Sequence, residues 1–380
     1  MLLALGMFAI GADGFVIAGI LPDLATGLQV PLSQAGFLVS AFAFTYAISA
    51  PILGAVLGGK SLRTILVASM GVFAAANLAA ALSEHYAWLL LWRLVAAMSA
   101  AAYSPAAVAA AINLLPPEKR GQASSFVLGG LTVALVTAVP LGAMLASASS
   151  WRMTFVLVAA LAATATATLW WVMPAGFQSR NLSLKERLSP LRNSNVIWAL
   201  VSCFVWMAGG IAAYTFIVPI SLSATGWSPD KAGFVLLIYG AAAIAGNLIG
   251  GRLSDFLRTP VRALQYFLCT HLASLLLMSL AVFSGPAWGA WLFPVAVAVF
   301  AASGWACTPP QASRLVSLSP PHAVQVIALN TMATYLGMAA GAAAGGLLST
   351  NGPLLFIPLA GAVAQCIAIW MVAARGEQRS

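Results

Sequence analysis

The sequence predicts an all-α polytopic membrane protein, with about twelve transmembrane helices in two six-helix bundles. Three observations carry this. Of 380 residues, 62% are hydrophobic and 7% are charged, against about 25% charged in soluble domains. Apolar runs of about 20 residues, the length a helix needs to cross the hydrocarbon core, recur along the chain. They do not alternate polar and apolar residues as barrel strands do, and lipid leaves a spanning backbone only helix or closed barrel. The third observation is internal repetition. Gly246-Asn247-Leu248-Ile249-Gly250-Gly251-Arg252-Leu253-Ser254-Asp255 closes one apolar run in charge, and Gly54-Ala55-Val56-Leu57-Gly58-Gly59-Lys60 closes another, with Gly54 and Gly251 197 positions apart. The same offset relates Gly36-Phe37 to Gly233-Phe234 and Pro22 to Pro219.

Span one covers about Leu2 to Leu21 and stops at Pro22-Asp23. It is read as a retained span rather than a removed signal peptide, because a basic n-region and a clear cleavage site are missing. Spans two to six follow at about 34–57, 65–82, 88–112, 123–146 and 153–172. The stretch 174–195 is the longest polar one and separates an N-terminal bundle, 1–173, from a C-terminal bundle, 196–380. Within it, Ser183 and Glu186 stand at capping-box spacing, and with Leu184 and Leu188 they predict a short surface helix. Spans seven to twelve fall at about 196–222, 232–251, 263–283, 288–309, 323–349 and 354–374.

Basic residues set the orientation, because they concentrate in cytoplasmic loops. With the N-terminus inside, Lys60, Arg63, Lys119, Arg120, Arg180, Lys185, Arg187, Arg192, Arg252, Arg258, Arg262, Arg314, Arg375 and Arg379 share one side. Only Arg152 and Lys231 take the other, and Arg93 stays within a span. Both termini and the central loop are therefore expected in the cytoplasm. The net charge of +9 is accounted for by loops beside an anionic leaflet, without nucleic acid. The four cysteines, Cys203, Cys269, Cys307 and Cys366, all lie in apolar runs without C-x-x-C spacing. They read as small buried hydrophobes, and no metal site or disulfide is expected.

A charge at membrane depth costs about 2.5–3.5 kcal/mol on insertion scales, so the few ionisable residues inside spans stand out. Asp13 and Arg93 both fall roughly 10–12 Å below the same surface at 1.5 Å per residue. The functional reading is that Asp13 binds and releases a proton while Arg93 tunes it; the other is a static pair that fixes helix packing. The position offset by 197 from Asp13 is Gly210, so any coupling charge belongs to the first half alone. His271 reads as a neutral imidazole bonded to a neighbour. Asn113, Asn247 and Asn330 offer hydrogen bonds between helices or to a cavity. Phe15, Trp206, Tyr214, Tyr239, Trp305 and Tyr335 are candidate cavity residues for a greasy, cationic or ring-bearing substrate, a composition that also serves packing. Gly337, Gly341 and Gly345 put small residues on one face of span eleven for close helix approach. Pro140 and Gly142 are expected to interrupt span five as a hinge or a packing kink.

These residues resemble the major facilitator superfamily, and more closely its proton-coupled drug-efflux branch, which includes arabinose and sugar efflux permeases. The resemblance spans nearly the whole chain. Phe15-Val16-Ile17-Ala18-Gly19-Ile20-Leu21-Pro22-Asp23-Leu24-Ala25 is similar to the branch's span-one signature, and Arg93 to its span-four arginine. Pro140-Leu141-Gly142 with Trp151-Arg152-Met153-Thr154-Phe155 resembles the antiporter motif and its continuation. Tyr214-Thr215-Phe216-Ile217-Val218-Pro219, the Gly246 to Asp255 stretch and Asn330 resemble second-half features. In the loop after span two, Gly58 stands where the family usually has Asp. The resemblance implies a major facilitator fold and alternating access, with protons moving inward as substrate moves out.

The expectation is a non-enzymatic carrier, a proton-driven exporter of small organic molecules such as drugs, sugars or metabolites in a bacterial inner membrane. It needs no cofactor beyond the proton gradient and acts as a monomer, since two bundles already enclose a path. Gly54, Lys60, Arg63, Pro140, Gly142, Gly251, Arg252 and Asp255 are the expected gating residues. An uptake symporter or facilitator on the same fold is the alternative. A non-transporting receptor lacks the large soluble loops it would need, and an intramembrane enzyme lacks a cluster of His, Asp or Glu ligands or a nucleophile beside a base.

Overall fold

The structure is a computed structural model. It describes residues 1–116, 119–179, 181–228, 231–257 and 259–376; within these, the side chains of Arg120, Gly121, Ala232, Asp255, Arg375 and Gly376 lie outside the description. Arg180, Arg258 and Arg379 are not among the described residues.

The apolar runs become α1 (Leu2–Gly27), α2 (Leu32–Val56), α3 (Leu62–Ala81), α4 (Tyr86–Leu114), α5 (Arg120–Ala148) and α6 (Trp151–Val172). A short α7 (Leu184–Arg187) and a 3-10 turn, Ser189–Arg192, follow. The second half holds α8 (Ser194–Thr215), α9 (Ile217–Thr225), α10 (Ala232–Leu257), α11 (Pro260–Ser284), α12 (Pro286–Ala306), α13 (Thr308–Leu318), α14 (Ala323–Asn351) and α15 (Phe356–Gly376). Twelve stretches among the described residues are long and apolar enough to cross a membrane. No strand occurs among them, only an isolated bridge between Ser61 and Gln178.

Four expectations change. The first span continues through Pro22 to Gly27. The seventh is not one helix: α8 ends at Thr215 and α9 starts at Ile217. Pro219 has no N–H for the carbonyl of Thr215 and its ring crowds that carbonyl, so the helix breaks there. The tenth breaks at Cys307, between α12 and α13, for the same reason at Pro309 and Pro310. Pro140, by contrast, lies inside an unbroken α5, so the expected interruption of span five does not occur.

Contacts divide the chain into two units, Met1–Val30 with Ala41–Arg187, and Pro31–Ser40 with Leu188–Ser380. The opening of α2 thus groups with the second unit. Inside the first unit α1 packs on α5 and α6, and α3 on α4 and α6. Inside the second, α8 packs on α14 and α15, and α11 on α12 and α15. These are the same partnerships by span number, first with fifth and sixth, third with fourth and sixth, so the repeat read from the sequence is a repeat of packing. Glycine permits the closest pairs. A Cβ on Gly246 would lie 2.6 Å from Ala302 Cα, one on Gly250 2.7 Å from Ala306 Cα, and one on Gly337 2.6 Å from Phe204 O. Small residues let backbones approach where no hydrophobic force between helices is available.

Candidate functional site

In the first unit α1 carries Asp13 and α4 carries Arg93, and the two side chains form a buried ion pair. Arg93 Nη1 donates to Asp13 Oδ1, and Nη2 lies 3.4 Å from Asp13 O. The guanidinium also sits 4.3 Å from the ring centroid of Phe42 and 6.0 Å from that of Phe155. Asp13 is 0% and Arg93 1% exposed. α1 and α4 meet here, the condition under which the spacing allowed the two charges to pair. The pair is not fully satisfied: Asp13 Oδ2 and Arg93 Nε have no hydrogen-bond partner. Desolvating two ions offsets much of their attraction unless the remaining lone pairs and protons are met.

Gly142 sits where α5 approaches α1 and α6 closely. A Cβ there would run into Val16 of α1 and reach 3.0 Å from Thr154 Cγ2, and Thr154 Oγ1 donates to Gly142 O at 3.0 Å. In this conformation Gly142 joins α5 to α1 and α6 by close packing.

The second unit gathers a different cluster. The rings of Tyr214 and Tyr239 lie 4.6 Å apart, Tyr239 and Phe300 6.0 Å, and His271 stacks on Phe300 at 4.7 Å. Trp305 Nε1 donates to Tyr239 Oη at 3.3 Å. His271 Nδ1 lies 3.1 Å from Phe300 O and 3.1 Å from Ser303 Oγ. A carbonyl only accepts, so Nδ1 carries the proton in the neutral ring. Gly210 and Gly304 make room for that ring: a Cβ on them would lie 3.1 Å from His271 Nε2 and 2.9 Å from Cε1. Where the first unit has its acid, the second therefore has a glycine against an imidazole.

Of the other cavity candidates, Trp206 stands apart from this cluster. It packs with Ala263, Leu264 and Phe267, its Nε1 donates to Cys203 Sγ at 3.2 Å, and its carbonyl accepts from Gln365 Nε2 at 2.9 Å. Phe15 and Tyr335 are half-buried on α1 and α14. Phe300 and Ser303 were not legible as site residues, because a Phe and a Ser in an apolar run carry no distinguishing spacing. Buried glutamines were also missed: Gln311 Nε2 donates to Ala199 O at 2.9 Å and lies 3.4 Å from Asn330 Oδ1. A lone amide inside an apolar run was the available signal.

Arg187 Nη2 donates to Gly54 O at 2.6 Å. Arg63 Nη2 donates to Trp170 O, with the guanidinium 5.4 Å from the Trp170 ring. Lys60 and Arg252 are exposed, and a Cβ on Gly251 would meet open space. The Asp255 side chain lies outside the described residues. Arg314, sorted with the loops from sequence, is instead buried on α13 at 6% exposure.

A sequence model of the Major Facilitator Superfamily matches residues 3–342. The chain belongs to the Major Facilitator Superfamily. It is 29% identical to the inner membrane transport protein YdhP of Escherichia coli O157:H7, over 97% of this chain and 94% of that one. It is 32% identical to the chloramphenicol resistance protein of Streptomyces lividans, over 69% of this chain and 68% of that one. The crystal structure of a bacterial homolog to the human lysosomal transporter Spinster, inward-facing and occupied, shares the fold. Its TM-score is 0.77 at 19% identity, covering 98% of this chain and 95% of that one. Membership makes this a multi-pass membrane transporter, whose partners are a lipid bilayer and a small-molecule substrate.

Proposed function

We propose that the chain exports small organic molecules in exchange for protons, by alternating access, from a bacterial inner membrane with both termini in the cytoplasm. Asp13 is the proton carrier, and Arg93 sets how readily it gives the proton up. The observation that carries this is the half-satisfied buried pair. Protonating Asp13 removes one of two desolvated charges, and the freed Arg93 then needs a new partner, which water or a rearranged bundle supplies. A site whose two forms favour different surroundings couples proton binding to conformation. The likeness to a chloramphenicol resistance protein supports export and an organic substrate. The aromatic cluster of Tyr214, Tyr239 and Trp305 in the second unit is the proposed recognition surface for a ring-bearing compound. No cofactor is required beyond the proton gradient, no chemistry is done on the substrate, and one copy of the chain suffices.

The test is an export screen in cells lacking other pumps, with chloramphenicol and ethidium in the panel. Expression should lower accumulation of at least one compound. Dissipating the proton gradient should abolish the effect, and Asp13→Asn should remove it. Accumulation that rises on expression would mean uptake on the same fold. Export untouched by loss of the gradient would overturn proton coupling.

A further inference from the structure

The chain between α6 and α7 does more than connect the bundles. Residues 175–179 run antiparallel to the loop between α2 and α3. Gly59 N–H donates to Ser179 O at 3.0 Å, Ser179 N–H to Lys60 O at 2.9 Å, and Leu62 N–H to Phe177 O at 2.8 Å. Ser61 and Gln178 are the bridged pair at the centre. Further on, Arg187 reaches back to the end of α2. Its Nη2 donates to Gly54 O at 2.6 Å while Nε donates to Leu182 O at 3.2 Å. Gly54 O is one of the terminal carbonyls that a helix leaves without an intrahelical partner, since Gly58 N–H turns to Ala55 O instead. A basic side chain there both caps the helix and complements its negative end.

The glycines of this corner fit the same seat. A Cβ on Gly58 would lie 2.9 Å from Asn181 Oδ1 and 3.1 Å from Ala55 O, and one on Gly54 2.8 Å from Arg187 Nη1. Gly59 turns the chain at φ 79°, in the left-handed region. The geometry is specific, yet little apolar burial backs it. No described side chain from 175 to 187 is buried. Hydrogen bonds with little apolar burial behind them exchange with water, and segments held mainly by them open locally.

We propose that residues 175–179 and 181–187 form a releasable strap: closed, it holds the α2–α3 loop and the end of α2 in the conformation described here, and it must open for that end of the first unit to rearrange during transport. The cycle part rests on the alternating-access reading above; the strap itself does not.

The test needs no substrate for its first arm. Spin labels are placed at the exposed Lys60 and Lys185 as Lys60→Cys and Lys185→Cys, with the exposed Cys269 and Cys366 changed to Ala. Protein in lipid nanodiscs should give a dominant short distance with a minor longer one. Arg187→Gln should enlarge the longer population and raise amide exchange at Gly59, Leu62 and Ser179 about tenfold, the scale of one lost charged hydrogen bond. Arg187→Lys should fall between them. Distances and exchange unchanged in Arg187→Gln would overturn the latch. In the second arm, a Ser61→Cys, Gln178→Cys pair is oxidised, and export of ethidium, or of whichever panel compound is exported, should drop at least tenfold and return on reduction. Full export from the crosslinked protein would overturn the role in the cycle. A strap that opens in a protein exporting nothing sinks the transport reading and leaves the latch standing; one that never opens in an exporting protein sinks the latch alone.

Discussion

Asp13 and Arg93 stabilise one another only as a pair, and this shapes how any mutation of the site must be read. Removing one partner of a buried pair leaves an uncompensated charge and costs about 3–5 kcal/mol. Asp13→Asn strands the Arg93 guanidinium, which is 1% exposed, so lost export by itself could reflect lost folding. The double variant Asp13→Asn, Arg93→Gln should recover much of the stability in thermal unfolding while export stays absent. If the double variant is no more stable than the single, the two charges are not the unit that the geometry implies. His271 is the contrasting case. Its Nδ1 is committed to Phe300 O and Ser303 Oγ, which fits the structural role expected from sequence. His271→Asn, which keeps a donor near Nδ1, should lower stability by less than His271→Leu, which loses about 0.5–1.5 kcal/mol of hydrogen bonding. Neither should move the pH profile of export, and a shifted profile in His271→Asn would give that residue a part in coupling.

At the scale of elements, glycine positions separate packing from tolerance. A Cβ on Gly341 would press on the Ala208 backbone of α8, its Cα at 3.0 Å, whereas one on Gly251 meets nothing within 4 Å. Gly341→Ala should therefore cost roughly 1–3 kcal/mol by overpacking, and Gly251→Ala should be neutral or slightly stabilising through helix propensity; unfolding midpoints of the two purified variants decide it. The capping box on α7 makes a pH prediction. Glu186 lies outside the spans, and hydrogen bonds from the Ser183 hydroxyl and the Ser183 backbone N–H hold its carboxyl below the usual range. A carboxyl depressed by folding contributes stability that is present above its unfolded pKa and lost as pH falls through the lower folded value. Amide protection in 183–187 should accordingly exceed that of Glu186→Gln at neutral pH and converge with it in acid. Much of this was legible beforehand. Runs of about 20 apolar residues mark spans because lipid demands them, and Ser183 with Glu186 marked α7. The breaks at Phe216 and Cys307 hide in unbroken hydrophobicity, and their signal was Pro219 and the Pro309-Pro310 pair. Pro22 and Pro140 show why proline alone is no guide, since both sit inside continuous helices, where neighbouring helices re-satisfy freed backbone groups. The surroundings of His271 and the burial of Arg314 depend on which helices meet, and spacing along one chain does not encode that.

At the scale of the whole molecule, two units repeat one packing plan and fill it differently. The first holds a buried ion pair, and the second holds an aromatic and imidazole cluster where the equivalent position is Gly210. The Gly246 to Asp255 stretch, the clearest mark of the repeat in the sequence, is a packing seam on its inner side: Gly246 and Gly250 bring α10 against α12. The latch geometry described here lies instead at the matching corner of the first unit, where Gly54 and Gly58 seat Arg187 and Asn181. Proton coupling through Asp13 is the central claim, and one measurement tests it directly. Purified protein is reconstituted in liposomes, a pH gradient is imposed, and transport of an exported panel compound is followed for the wild type, Asp13→Asn and the Asp13→Asn, Arg93→Gln double variant. The account predicts uphill transport that collapses with the gradient in the wild type, and no gradient-driven transport in a folded double variant. Gradient-driven transport at the wild-type rate without Asp13 would contradict it.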